Sequence, residues 1–120
     1  MKLALNVMVA GTMQLIAEAL ALGGRHGLDR ARMLEVINGS VVGSAFTRYK
    51  TPPLVAGDYG TTFSASLMRK DLGLALDGGV PLPVTTTVQQ RLDGCIEAGM
   101  GDLDFSVLVQ LACTSSSAIT

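Results

Sequence analysis

The chain has no tryptophan, and aromatic residues make up only 4% of it. A β-sandwich leans on aromatic and β-branched side chains. A core built instead from Leu, Val, Ala and Met suits packed helices. Cysteine is nearly missing as well. Cys95 and Cys113 are too few and too far apart for a disulfide framework or a zinc site. They read as small, reduced residues of a cytoplasmic protein. The single histidine, His26, excludes a histidine-based metal cluster and suits the end of a helix, where positive charge is favoured. No basic run is present. Nine Lys and Arg are scattered among ten Asp and Glu, for a net charge of −1, which excludes nucleic acid as a main partner.

What remains is an apolar chain. Hydrophobic residues are 48% of 120, enough for one domain with its own core. The start imitates a signal peptide, with Met1-Lys2 before Leu3-Ala4-Leu5 and a small-residue site at Ala19-Leu20-Ala21. Asn6, Gln14 and Glu18 interrupt that run. Polar groups at this spacing are costly in a bilayer. The expectation is therefore a protein neither exported nor inserted in a membrane.

No strand alternation, internal repeat or heptad stands out, so the fold class is all-α, with one long N-terminal helix and about five shorter ones. The first helix runs from Met1 to about His26, stopped by Gly27. Lys2, Asn6, Gln14 and Glu18 make a narrow polar stripe on it, so the rest of its surface is expected to be buried on most sides. Asp29 caps a second helix that ends at Asn38-Gly39, with Leu28 and Met33 placed as a hydrophobic staple. Ser40 to Tyr49 reads as a short third helix, broken by Thr51-Pro52-Pro53. The fourth starts near Ser64 and stops at Gly78-Gly79. Pro83 opens a fifth that reaches about Ala98. Asp102 or Asp104 caps a sixth through Phe105, Leu108 and Leu111. The Ser/Thr-rich stretch 113–120 is expected to fray, leaving 1–112 as the folded domain.

Two pairs of residues carry the chemistry. Lys2 and Asn6 are four apart, so they share a helix face, where an ammonium and a carboxamide can hold and protonate one oxygen. Lys70-Asp71 offers a cation for a cofactor phosphate or amide, with the aspartate orienting it. Each pair is also what a solvated helix surface looks like, and Phe63, at the mouth of the fourth helix, is also a natural core residue. No nucleotide-binding glycine motif, nucleophile elbow or metal cluster accompanies them.

Read in order, Lys2-Leu3-Ala4-Leu5-Asn6, Ala17-Glu18-Ala19-Leu20-Ala21-Leu22, Gly27-Leu28-Asp29, Phe63, Leu67-Met68-Arg69-Lys70-Asp71-Leu72, Gly79-Val80-Pro81-Leu82-Pro83 and Gly101-Asp102-Leu103-Asp104-Phe105-Ser106 resemble one family. It is the C-terminal helical domain of the β-hydroxyacid dehydrogenases. These include 3-hydroxyisobutyrate dehydrogenase, tartronate semialdehyde reductase and glyoxylate/succinic semialdehyde reductase, and are related to 6-phosphogluconate dehydrogenase. The resemblance covers residues 2 to about 112. It implies a bundle like the C-terminal domain of 6-phosphogluconate dehydrogenase, joined by its long first helix to an N-terminal Rossmann domain that this stretch does not contain. It implies NAD or NADP as cofactor and a small hydroxy or semialdehyde acid as substrate, with a homodimer or higher homo-oligomer. In this resemblance Lys2 matches the proton donor, and Asn6 and Phe63 match substrate-side residues. Lys70 and Asp71 match the cofactor side. The stretch Asp77-Gly78-Gly79-Val80 is about one helical turn shorter than in the family.

Two other readings of the residues stand beside this one. One is a helical oligomerisation module without chemistry, since a long apolar helix drives association. The other is an imine reductase on the same scaffold, which the lysine at position 2 disfavours.

Overall fold

The computed structural model describes residues 1–119, with side chains through Thr114. Six α-helices and one 3₁₀ turn follow in order: α1 Lys2–Arg25, α2 Arg30–Asn38, α3 Ala45–Ala56, α4 Ala65–Leu76, α5 Pro83–Glu97, the 3₁₀ turn Phe105–Val107, and α6 Leu108–Ile119. Among the described residues there is no strand, only an isolated bridge between Ser64 and Asp104. The all-α expectation holds. The frayed tail expected over 113–120 lies largely outside the described side chains.

α1 is the axis of the bundle. It packs chiefly against α6 and α4, with α5 alongside, while α4 also pairs with α5 and α2 with α3. Ala10, Met13, Ile16, Ala17 and Leu20 recur at helical spacing and turn one face into the core. They meet Met68 and Leu72 of α4, Val88 and Leu92 of α5, and Val107 to Val109 before and within α6. Burying each Met, Ile, Leu or Val among them contributes about 1.5–3 kcal/mol, and each alanine methyl about 0.8 kcal/mol. The other face of α1 is not covered, contrary to the expectation from its apolar surface: Leu5, Met8, Leu15 and Leu22 are exposed. Gln14, expected on the polar stripe, is instead buried and donates to the Glu18 carboxylate at 2.9 Å. By length and composition α1 is long and apolar enough to cross a membrane, with a mean hydropathy of 1.5 over its most apolar window and 33% of that window buried.

Local chemistry explains most helix ends. Gly27, at φ 81°, reverses the chain after α1, and the Leu28 N–H closes on the Gly23 carbonyl at 3.0 Å. The Asp29 carboxylate accepts from Arg32 N–H, and the Ser64 hydroxyl from Leu67 N–H, as N-caps do.

The third helix departs from expectation. It begins at Ala45, not Ser40, because Ser44 and Thr47 form a reciprocal capping box there. It then continues through Pro52 and Pro53. The two rings remove N–H donors that would otherwise close the helix onto Arg48 and Tyr49. Neighbouring bonds hold the segment instead. Thr51 donates to the Thr47 carbonyl at 2.7 Å and receives Asn38 from α2 at 2.8 Å, while Arg30 reaches the Leu54 carbonyl at 3.2 Å. The helix stops at Gly57, whose φ of 66° lets Asp58 N–H close on Pro53 O. The last helical segment also starts differently, as a 3₁₀ turn capped by Asp104 rather than as one continuous helix.

Candidate active site

Asn6 sits one turn after Lys2, near the start of α1, and Asp71 lies midway along α4. The packing of those two helices brings them together: Asn6 Nδ2 donates to Asp71 Oδ2 at 2.7 Å. A carboxylate only accepts, so this bond fixes which way the Asn6 amide faces. The Asn6 oxygen and one N–H are left for another partner. The two motifs, 65 residues apart, thus converge on one hydrogen bond.

Lys2 and Lys70 stand near these two residues along their helices. Lys2 is four residues before Asn6, on the same helix face, and Lys70 immediately precedes Asp71. Both are exposed, and among the described residues neither has an ion-pair partner. The expectation that Asp71 orients Lys70 is not met. Successive residues on a helix point about 100° apart, and the Asp71 carboxylate goes to Asn6. Phe63 is half-buried and packs against the core, with its backbone bonded to residues around Asp104. Two free ammonium groups and an oriented carboxamide suit an anionic, carboxamide-bearing cofactor and a carboxylate substrate. The donor set therefore fits a nicotinamide dinucleotide at its edge. The glycine-rich phosphate cradle is not among these residues.

A second polar cluster, which sequence reasoning did not find, lies in the core. Lys50 is 5% and Asp104 2% exposed, and their charges meet at 2.9 Å. Asp104 Oδ1 accepts from Thr62 N–H, Thr62 Oγ1 and Phe63 N–H, and Oδ2 also accepts from Ser106 N–H. The Lys50 ammonium lies 5.0 Å from the Phe105 ring centroid. Burial pushes the Asp104 carboxyl upward. The Lys50, Ser106, Phe63 and Thr62 hydrogen bonds outweigh it and hold the group well below the usual carboxylate range. Every lone pair of this carboxylate is used, so the cluster is a structural knot that pins the 61–64 loop to the 104–106 turn. Asp104 was legible as a cap. Nothing at position 50 marked its lysine as buried.

Both cysteines are free. Burial pushes the Cys95 thiol up to about 11, with Arg91 opposing. Cys113 is half-buried, 3.5 Å from an Arg30 guanidinium nitrogen. At pH 8 a thiol reagent is expected to modify Cys113 at least about a hundredfold faster than Cys95. Mass spectrometry of the partly labelled native protein checks this, and equal rates would mean the α5 side of the core opens readily.

Known proteins share this fold and much of this sequence. The chain is 35% identical over 115 residues to 2-(hydroxymethyl)glutarate dehydrogenase of Eubacterium barkeri, covering 92% of this chain and 38% of that protein. It is also 35% identical over 124 residues to mitochondrial 3-hydroxyisobutyrate dehydrogenase of Drosophila melanogaster, covering 92% and 37%. The crystal structure of 3-hydroxyisobutyrate dehydrogenase from Salmonella typhimurium superposes with a TM-score of 0.85 at 26% identity, over 92% of this chain and 40% of that one. The chain thus spans about two fifths of the length of these relatives. The family described as "NAD-binding of NADP-dependent 3-hydroxyisobutyrate dehydrogenase" matches residues 1–112, which makes NAD or NADP the cofactor of the fold. The six-helix bundle in which Asn6 of α1 meets Asp71 of α4 is thus the fold of a known group: the chain belongs to the 3-hydroxyisobutyrate dehydrogenase family of NAD-binding helical domains.

Proposed function

We propose that this chain is the helical substrate domain of a cytoplasmic NAD(P)-dependent oxidoreductase. The reaction interconverts a small β-hydroxy acid and its semialdehyde or keto form. The observation that carries this reading is the 2.7 Å bond between Asn6 and Asp71, with Lys2 one turn before Asn6 and Lys70 next to Asp71 in sequence, both exposed.

The bound nicotinamide would supply or receive the hydride. The chain's own residues handle the oxygen. As hydride reaches the carbonyl carbon, negative charge grows on the carbonyl oxygen. The Lys2 ammonium stabilises that charge and delivers its proton to the oxygen. The positive end of α1 adds to the same potential. In the oxidising direction the neutral amine takes the hydroxyl proton back. Asn6, oriented by Asp71, presents its carboxamide oxygen as acceptor for a substrate hydroxyl and so aligns the reacting carbon. Lys70 offers its ammonium to the anionic cofactor.

Hydride transfer needs the cofactor held rigidly, and the phosphate cradle lies outside this chain. The isolated chain is therefore expected to show no turnover. Fused behind a dinucleotide-binding domain of a family member, it is expected to restore oxidation of 3-hydroxyisobutyrate or reduction of succinic semialdehyde, followed as nicotinamide absorbance. A well-folded fusion that binds NADPH but turns over no small hydroxy acid or semialdehyde would overturn the proposal.

A further inference from the structure

α2 ends on Asn38-Gly39, and the chain holds one other asparagine, Asn6, which Val7 follows. An asparagine can lose its amide when the next backbone nitrogen attacks its side-chain carbonyl carbon. Glycine has no Cβ to obstruct that approach. A β-branched valine crowds it. Sequence thus marks Asn38 as the vulnerable site of the two, and the fold decides how fast it reacts.

Asn38 is half-buried and latches α2 to α3. Its Nδ2 donates to Thr51 Oγ1 at 2.8 Å. Thr51 has one hydroxyl proton, which it donates to the Thr47 carbonyl at 2.7 Å. The threonine therefore accepts from Asn38, and the latch needs an N–H there. Asn38 Oδ1 is buried and has no hydrogen-bond partner among the described residues.

The backbone holds the nucleophile back. Gly39 N–H is bonded to the Glu35 carbonyl at 3.1 Å, and Gly39 itself continues the helical turn at φ −89°, ψ −2°. Gly43 packs so close to Asn38 that a Cβ at 43 would stand 2.6 Å from the Asn38 carbonyl oxygen. Ring closure needs the Gly39 nitrogen freed from Glu35, Asn38 turned out of the helical region and its side chain released from Thr51. These restraints open together when the last turn of α2 frays.

We propose that Asn38 is a site of spontaneous deamidation, latched by Thr51, and that the reaction releases α2 from α3. The Gly39 nitrogen bonds to Asn38 Cγ, and Nδ2 departs as ammonia, carrying the proton that Gly39 gives up. Water then opens the resulting succinimide at either carbonyl, leaving aspartate or isoaspartate. No oxidant, reductant or second protein takes part.

Either product ends the latch. A carboxylate has no proton to donate to Thr51. Even with the Thr51 hydroxyl turned to face it, its second oxygen stands where Oδ1 is now, buried without a donor. Isoaspartate also adds a carbon to the main chain, beside the close contact with Gly43. α3 carries Pro52 and Pro53, so it loses one of the bonds that hold it across the missing N–H groups.

Ageing the folded protein in mildly alkaline buffer tests this, with peptide mass spectrometry reading the amide lost from each asparagine. Wild type is expected to lose the Asn38 amide well before that of Asn6, and more slowly folded than in urea. Thr51→Val should speed the loss about fivefold, the ratio for one hydrogen bond of ordinary strength. Thr51→Ser keeps the hydroxyl and should stay at the wild-type rate. A Cβ at 39 would meet ordinary contacts, 3.6 Å from the Glu35 carbonyl and 3.8 Å from that of Val36. Gly39→Ala should therefore fold and slow the loss at least about tenfold. Asn38→Asp reproduces one product and should lower Tm by at least about 4 °C.

An Asn38 amide that outlasts that of Asn6 in the folded protein would overturn the site. Thr51→Ser reacting as fast as Thr51→Val, or both at the wild-type rate, would overturn the latch. Unchanged melting of Asn38→Asp would overturn the release of α2 from α3.

Discussion

Replacing Asp104 by alanine is expected to destabilise the fold by about 3–5 kcal/mol, the usual cost of stripping one partner from a buried ion pair. The Lys50 ammonium would be left 5% exposed with only Thr62 Oγ1, at 3.3 Å, as a hydrogen-bond acceptor. The backbone N–H groups of Thr62, Phe63 and Ser106 would also lose their acceptor. For a chain of this length the loss corresponds to a fall in Tm of about 12–20 °C, a large share of an ordinary domain's stability. Lys50→Met should cost about half as much, because the carboxylate keeps its other donors and the methionine stem fills the same space. The double variant should lose less than the sum of the two, since the stranded ammonium is then gone. Urea titrations of the four proteins decide this. An Asp104→Ala loss below about 1 kcal/mol would mean the knot is not a determinant of the fold.

The same carboxylate gives the fold an acid sensitivity of known sign. Its folded pKa is depressed, so its contribution is fully present above the unfolded value of about 3.9. It is lost as pH falls from there through the folded value, because the folded state must then take up a proton that the unfolded state already holds. Asp104→Ala lacks this term, and its stability should fall less steeply below about pH 4 than that of wild type.

Replacing Lys2 by methionine in the fused enzyme is expected to lower kcat by about 10²–10⁴, the range for losing a positioned general acid. Stability should hardly move, because Lys2 is exposed at the first turn of α1 and has no ion-pair partner among the described residues. Lys2→Arg should not rescue the rate, since a guanidinium holds its proton at all relevant pH values. An NADPH affinity unchanged in Lys2→Met, beside the collapsed kcat, would separate proton transfer from cofactor binding. A kcat within about threefold of wild type would remove Lys2 from the chemistry.

Much of this molecule was determined by local sequence. Helix identity followed from apolar spacing, and helix ends from single residues such as Asp29, Ser64, Pro83 and Gly27, because capping and turn chemistry act over three or four residues. The third helix shows where that reach fails. Its passage through Pro52 and Pro53 depends on Asn38 and Arg30 of another helix, and no local rule weighs a long-range hydrogen bond against a missing N–H. Lys2-Asn6 and Lys70-Asp71 were visible as candidate pairs, since each is a spacing on one helix. Their meeting through the Asn6–Asp71 bond was decided by the packing of α1 on α4, as was the burial of Lys50 against Asp104. The division has one physical cause. Propensity, capping and periodicity are properties of neighbours along the chain, whereas burial, charge pairing and the choice of which helix faces stay open depend on contacts between residues dozens of positions apart.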